Sequence, residues 1–150
     1  MKDFFASKTK LIVFFLFVFG VFLIFFLSWK SNPNLEGLWF IPDWLSSWTD
    51  KNRNNQIRTG VPFIGLGILV GAYLIYNQKK SPFFWFFSWI LLVIIVYVAE
   101  AGQYFLPARV VDIKDVIWGG IGAAIGLIFS FFFWQIRRMF KNKLFENEKY

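Results

Sequence analysis

A short polar segment, residues 100–115, concentrates side chains that could bind a ligand or transfer a proton. It contains Glu100, Gln103, Arg109, Asp112 and Asp115 at multiples of three, between two long apolar runs. Two or three carboxylates at one site could act as general acid and base or hold a divalent ion. Alternatively, the arginine could receive a phosphate while the acids accept hydrogen bonds from hydroxyls or amines. Because ionisable groups near hydrocarbon are costly, such a cluster is a candidate functional site.

The first part of this segment also has a structural explanation. Glu100 and Gln103 are expected to share a helix face if the preceding helix continues to them. Pro107 restricts Leu106 and is expected to end that helix or begin a turn. Glu100 could equally be an interfacial charge that points into water, so the sequence leaves both interpretations open.

The second part has structural alternatives of its own. Arg109 and Asp112 could form an ion pair, which could be bidentate and then stronger than a lysine pair. Asp112 or Asp115 could cap the next helix, where a carboxylate meets the positive end of the helix dipole. Upstream, Asp50 and Lys51 precede another apolar run, and we include them as second-rank members of the candidate site.

Four apolar runs must position these groups, and each is long enough to cross a bilayer. The chain is 57% hydrophobic, whereas a soluble domain has roughly 45–50% apolar residues. At about 1.5 Å per residue the runs span roughly 25–32 Å, close to the hydrocarbon thickness of about 30 Å. We predict a single all-α domain over residues 1–150, a polytopic membrane protein with four transmembrane helices. These are residues 11–27, 60–76, 83–99 and 116–136, with a basic tail at 137–150.

The first run is predicted to be an uncleaved helix. Its basic flank resembles a signal peptide, but no small-x-small cleavage pattern follows and 17 residues exceed a typical signal core. The loop at 28–58 that follows carries four tryptophans and is predicted to contain a short interfacial helix near 42–50. Those tryptophans could be an aromatic belt or a platform over a ligand's headgroup.

Glycine pairs indicate which helices pack closely. Gly67 with Gly71 and Gly122 with Gly126 are GxxxG motifs, which let helix backbones approach. We expect the second helix to dock on the fourth, which would bring residues 50–54 near residues 112–115. A homodimer interface is the other use of such motifs.

Charge asymmetry predicts the orientation. Ten basic and three acidic residues fall on the side that holds both termini, while six of each fall on the other side. Since positive charge stays cytoplasmic, both termini are predicted to lie inside a bacterial plasma membrane, with residues 100–115 facing outward. The basic residues flank helix ends, which favours contact with anionic headgroups and argues against nucleic-acid binding.

The absence of cysteine and histidine excludes disulfides, thiolate zinc sites and imidazole catalysis. Any catalysis must rest on carboxylates, Arg, Lys, Tyr or a recruited ion. We assign no resident metal site, and the sequence identifies no cofactor.

The pattern Glu100-x-x-Gln103-x-x-x-Pro107-x-Arg109-x-x-Asp112-x-x-Asp115, followed by Gly122 and Gly126, resembles the signature of VanZ-like membrane proteins. Asp50-Lys51 resembles the Asp-Lys-x-x-His motif before the second helix of that family. The family takes its name from a teicoplanin-resistance protein, so the resemblance implies a cell-envelope context and glycopeptide tolerance. Two positions differ from it: Asn54 stands where the family often has His, and Gly119 where it often has Asn.

Three functions remain open. The leading hypothesis is an outward-facing site that engages lipid headgroups, lipid-linked envelope precursors or a glycopeptide and lowers teicoplanin susceptibility. The alternatives are a carboxylate-based hydrolase or transferase on a lipid-linked substrate, and a non-catalytic subunit whose glycine face recruits another membrane protein. A transporter is disfavoured because the acids lie near one membrane face instead of the midplane.

Overall fold

The computed structural model describes residues 2–32, 34–36, 38–51, 57–107 and 109–147 and is helical throughout its regular structure. No strand occurs among these residues, which confirms the predicted all-α class. A 3-10 turn, Gln103–Phe105, extends the fourth helix. The helices are α1 (Lys2–Ser28), α2 (Asp43–Thr49), α3 (Ile57–Tyr76), α4 (Pro82–Gly102) and α5 (Ile113–Asn147).

Four of the helices are long and apolar enough to cross a membrane, as predicted. They begin earlier or end later than the apolar runs, because a helix near lipid satisfies its backbone best by continuing into the polar boundary. α3 begins at Ile57, so Pro62 lies in its second turn. α5 begins before Val116 and continues past Ile136 through Arg137 and Arg138. The predicted short helix in the loop is α2.

The glycine motifs of α3 and α5 pack against each other within the chain, which confirms the predicted docking. A Cβ added to Gly67 would lie 2.5 Å from the carbonyl oxygen of Ala123 and 3.0 Å from Cα of Gly126. Gly122 in turn faces the carbonyl of Gly60. Only residues without a Cβ permit this approach. The same glycine face is therefore covered by α5 and is not available for a homodimer or a partner subunit.

The other two long helices pack around this pair. α1 docks on α3 through Gly20, where an added Cβ would lie 2.9 Å from Cδ2 of Leu66. α4 joins α5 partly through Trp89, whose indole Nε1 donates to the carbonyl of Gly120 at 3.0 Å. The most completely buried large side chains are Phe63, Leu92 and Val96. These contacts bring the C-terminal ends of α1 and α4 beside the N-terminal ends of α3 and α5.

The turn between α3 and α4 is held by a defined C-cap. Gln78 has a φ of 55°, and the N–H of Lys79 bonds to the carbonyl of Leu74 at 2.9 Å. The N–H of Gln78 bonds to the carbonyl of Ile75 at 3.0 Å. This pair of bonds is a Schellman motif, which stops the helix and sets the direction of the chain that follows.

We expect Gly67→Ala to destabilise the protein by about 1–3 kcal/mol, because its methyl group would overlap the α5 backbone. Gly65→Ala is the matched control, since a Cβ at Gly65 meets nothing within 4 Å. That control should be neutral or stabilising by up to about 1 kcal/mol through helix propensity. Thermal unfolding in detergent, followed by circular dichroism, compares the two. Equal midpoints would show that the α3–α5 contact does not limit stability.

Candidate functional site

Glu100 is the centre of the polar cluster and lies in the last turn of α4. Its side chain is 4% exposed, and both carboxylate oxygens accept hydrogen bonds. The backbone N–H of Asp112 donates to Oε1 at 2.7 Å, and Nε2 of Gln103 donates to Oε2 at 2.9 Å. A buried carboxylate is tolerated when such donors replace water. Glu100 therefore joins the end of α4 to the start of α5 and does not point into open water.

Gln103 extends this network to α1. Because α4 continues into the 3-10 turn, Gln103 lies on the same face as Glu100, as the three-residue spacing indicated. Its Nε2 also donates to Oγ of Ser28 at 3.0 Å, and Ser28 donates to the carbonyl of Ala99 at 2.9 Å. Trp29, the residue after Ser28, donates from Nε1 to the carbonyl of Ala99 at 3.1 Å, and its ring packs against Gly102. The ends of α1 and α4 are thus tied by side chains of both helices.

Arg109 caps α1 instead of forming the bidentate ion pair that its spacing to Asp112 suggested. Its Nε donates to the carbonyl of Lys30 and its Nη2 to the carbonyl of Leu27, each at 3.0 Å. These carbonyls lie at the C-terminal end of a helix, where a cation is stabilised by the helix dipole. Burial, and to a lesser extent Arg58, lowers the pKa of the Arg109 guanidinium, while Glu100 opposes the shift. Arginine nevertheless stays protonated at neutral pH, so the group is a permanent cation.

The two aspartates of the segment have different surroundings. Asp112 caps α5, because its Oδ1 accepts the N–H of Lys114 at 2.9 Å. Asp115 is half-buried in the first turn of α5, and its carboxylate interacts with Arg58 and with the hydroxyl of Thr59. The capping role expected of one aspartate is thus performed by Asp112. Asp115 instead faces a cation and a hydroxyl on α3.

Asp50 and Lys51 were expected near Asp112–Asp115 but lie in a different local structure. The Asp50 carboxylate accepts the N–H of Leu35 at 2.9 Å and that of Glu36 at 3.1 Å. Asp50 therefore stabilises the loop before α2, and no hydrogen bond among the described residues joins it to the cluster. Lys51 is exposed. Asn54, the first departure from the VanZ-like pattern, lies outside the described residues.

Two surface grooves flank the end of α4, and one of them reaches Glu100. That groove has a volume of about 400 Å³, the other about 510 Å³. The Glu100 groove is bordered by two exposed tyrosines, Tyr97 and Tyr104. The rest of its lining is Ala101, Phe105, Val111, Ile113 and Val116. The second groove, on the other side of α4, is lined by Trp29, Val98, Ala101, Gly102, Phe105 and Leu106.

The Glu100 groove is mostly apolar. Its walls are apolar or aromatic apart from Glu100, the charged residue of its lining, a composition that suits a ligand with a hydrocarbon body and a polar head. Within the described part of the chain, no group of three or more acidic side chains is arranged to hold a metal ion.

Sequence reasoning missed four residues of this network: Ser28, Trp29, Arg58 and Thr59. Each lies at a helix end on the same side of the predicted bundle as Glu100. Their common depth in the membrane, which the sequence predicts, was the feature that could have indicated them. What the sequence does not show is which of the many polar groups at that level turn inward, because that depends on how the helices pack.

The fold defines a multi-pass membrane protein with four long apolar helices, and Glu100, Arg109, Asp112 and Asp115 lie together where α4 meets α5. The chain belongs to the VanZ/LLP1 family, whose profile matches residues 10–134. Comparisons with curated proteins and with solved structures found no match. The match covers every residue of the candidate site and confirms the resemblance that the motif indicated.

Gly119, the second departure from the family pattern, is buried beside α4. A Cβ at this position would lie 2.7 Å from both γ-carbons of Val96. Val96 precedes Glu100 by one helical turn, so the valine occupies the space that a side chain at position 119 would need. The glycine and the valine therefore act as a matched pair directly beneath the polar network.

We expect Arg109→Gln to loosen the end of α1, because it removes a charged donor to two backbone carbonyls. Such hydrogen bonds contribute about 1.5–3 kcal/mol each. Arg109→Lys should loosen this end less than Arg109→Gln does, since an ammonium keeps the charge but lacks the planar fork of a guanidinium. Hydrogen–deuterium exchange of the segment around Ser28 measures the effect. The control is Lys114→Gln, an exposed cation nearby; protection that falls equally in both variants would contradict the capping role.

Proposed function

We propose that this protein is a bacterial cell-envelope membrane protein whose Glu100 groove binds the headgroup of a membrane lipid or lipid-linked envelope precursor. Occupation of this site lowers susceptibility to teicoplanin-type glycopeptides. Membership of the VanZ/LLP1 family supports the link to glycopeptide tolerance. The groove supports the ligand class, since a chain that binds a lipid from within the bilayer needs an apolar surface ending in polar groups.

One observation carries the proposal: Glu100, a buried carboxylate whose two oxygens each accept one hydrogen bond, lines a groove whose other walls are apolar or aromatic. Glu100 serves at once as a junction between helices and as the charged residue of that groove. The groove therefore suits a headgroup that donates hydrogen bonds or carries a positive charge.

We further propose that the Glu100 end of the bundle faces the outer surface of a bacterial plasma membrane and that both termini are cytoplasmic. The charge asymmetry of the sequence supports this orientation. It places the groove in the leaflet where lipid-linked precursors and glycopeptides meet.

A carboxylate-based hydrolase or transferase is the weaker candidate. A general base needs an acceptor site within hydrogen-bond reach of its substrate. Each oxygen of Glu100 accepts one hydrogen bond, from Gln103 or from Asp112, and keeps a second acceptor site for a headgroup donor. Taking up a proton as a general base would weaken both of these charge-assisted bonds.

The proposal predicts that expression in a teicoplanin-sensitive bacterium raises the inhibitory concentration of the drug. Glu100→Gln, Arg109→Ala and Asp115→Asn should each abolish the increase at matched membrane levels, because each alters the charge around the groove. The minimum inhibitory concentration of teicoplanin measures the effect.

Two exposed residues offer matched controls for this experiment. Glu36→Gln removes an acid of the long loop and Lys114→Gln removes a cation of the same end. Both variants should retain the wild-type increase. Tolerance that survives all three site substitutions would make the polar cluster structural. Tolerance absent from the wild type would overturn the proposed function.

A second prediction concerns the Gly119–Val96 pair. Gly119→Asn alone should destabilise the protein by about 1–3 kcal/mol through overlap with Val96. Val96→Ala with Gly119→Asn should recover most of that loss and place an amide one turn from Glu100, as in the VanZ-like pattern. Thermal unfolding tests the recovery and teicoplanin susceptibility tests whether tolerance rises. A double variant as unstable as Gly119→Asn would show that Val96 is not the constraint.

A further inference from the structure

A cluster of basic and aromatic side chains lies at the opposite end of the bundle from Glu100. It consists of Lys79 and Lys80 in the α3–α4 turn, Phe84 in the first turn of α4, and Trp134 and Arg138 near the end of the apolar span of α5. We refer to it as the basic–aromatic cluster. None of its members takes part in the Glu100 network, and the proposed function does not use it.

Trp134 is the organising residue of the basic–aromatic cluster. Nζ of Lys80 lies 5.9 Å from the centre of its ring, and Cζ of Arg138 lies 5.7 Å from the same centre. Both distances are within the range of a cation–π interaction. Arg138 follows Trp134 by one turn of α5, whereas Lys80 comes from a different element, so packing alone brings the two cations to one ring.

The turn that presents the lysines is rigid. The Schellman motif at Gln78 sets its direction, and the indole Nε1 of Trp85 donates to the carbonyl of Lys79 at 3.0 Å. Trp85 in turn packs edge-on against Phe131 of α5, with ring centres 5.6 Å apart. Nζ of Lys79 lies 4.7 Å from the centre of the Phe84 ring. The backbone from which Lys79 and Lys80 extend is therefore positioned by the fold.

The charge of this region is not balanced locally. Residues 76–82 and 134–140 contain Lys79, Lys80, Arg137 and Arg138 and no acidic residue. Lys80 and Arg138 are exposed. Cations without a neighbouring acidic partner attract an anion. A ligand that receives hydrogen bonds from both Lys80 and Arg138 would complete the site.

The position of the cluster selects the kind of anion. Arg138 lies within the last turn of the apolar span that ends at Phe140, and Trp134 belongs to the residue type that favours headgroup level. An exposed aromatic side chain, Phe131, lies on the same side of α5 one turn earlier, with its ring centre 6.1 Å from that of Trp134. An anion that carries hydrocarbon satisfies both the cations and this apolar surface, whereas a free anion satisfies the cations alone.

We propose that Lys80 and Arg138, the two cations at the Trp134 ring, bind the phosphate of an anionic phospholipid, and that the indole lies at the level of the glycerol backbone. Lys79 provides a secondary cation, and the acyl chains lie along Phe131 and the apolar surface of α5. This site is separate from the Glu100 groove, so it would hold whether or not the proposed function does. It also predicts a preference for phosphatidylglycerol over phosphatidylcholine, since only the former carries net negative charge.

Native mass spectrometry of the full chain in detergent tests the proposal, with phosphatidylglycerol and phosphatidylcholine added as equal competitors. The wild type should retain phosphatidylglycerol preferentially. Lys80→Gln and Arg138→Gln should each weaken that preference about fivefold, and the double variant by roughly 25-fold, the effect expected of one and two interfacial cations.

Arg137→Gln is the matched control, because it removes the same charge from the neighbouring position without altering the pair at Trp134. It should change the preference less than about twofold, since its contribution is only that of a screened, more distant charge. Circular dichroism confirms that all variants keep the wild-type helix content. An Arg137→Gln effect as large as that of Arg138→Gln, or a double variant that keeps its preference, would overturn the site.

Discussion

The burial of one carboxylate at a membrane boundary is the constraint on which the rest of this structure depends. An ion removed from water costs several kcal/mol unless donors replace its hydration. Glu100 receives those donors from two other parts of the chain, the side chain of Gln103 and the backbone N–H of Asp112. Gln103 reaches Glu100 because α4 continues through a 3-10 turn. The N–H of Asp112 reaches Glu100 because the loop after Pro107 returns to the end of α4. The local geometry between α4 and α5 follows from this requirement.

Arg109 donates hydrogen bonds to carbonyls at the C-terminal end of α1 in a similar way. A helix that ends near hydrocarbon leaves carbonyls that water does not fully reach. The guanidinium reaches two of them at once, which a smaller cation would not do. With Ser28 bonded to Ala99 and to Gln103, the ends of α1, α4 and α5 form one continuous network. Ligand binding at the Glu100 groove would therefore be sensed by three helices together.

The two ends of the bundle use charge in opposite ways. At the Glu100 end, acids and arginines alternate and satisfy one another or the backbone. At the other end, cations stand over aromatic rings with no acid in the adjoining segments. The first arrangement suits recognition of a polar headgroup by shape and hydrogen bonds, and the second suits electrostatic attachment to anionic lipid.

Much of the architecture was determined by the sequence alone. Run length and hydropathy specify four spanning helices, and the GxxxG pairs specify the contact between α3 and α5, because only glycine permits that backbone distance. The i,i+3 relation of Glu100 and Gln103 and the capping of α5 are local properties of a helix and were likewise readable. The sequence identified only some of the residues that form the candidate site. From the sequence we expected Asp50 in the cluster, but its carboxylate binds the loop before α2. We also expected Arg109 to pair with an aspartate, but it binds carbonyls at the end of α1. Ser28, Arg58 and Thr59 belong to the network, but the sequence did not indicate them. The contact between Lys80 and Trp134 was not predicted either. These partners are separated by tens of residues, and which polar groups meet depends on helix rotation and loop path. Those quantities are set by the packing of the whole bundle, so only the tertiary structure decided them.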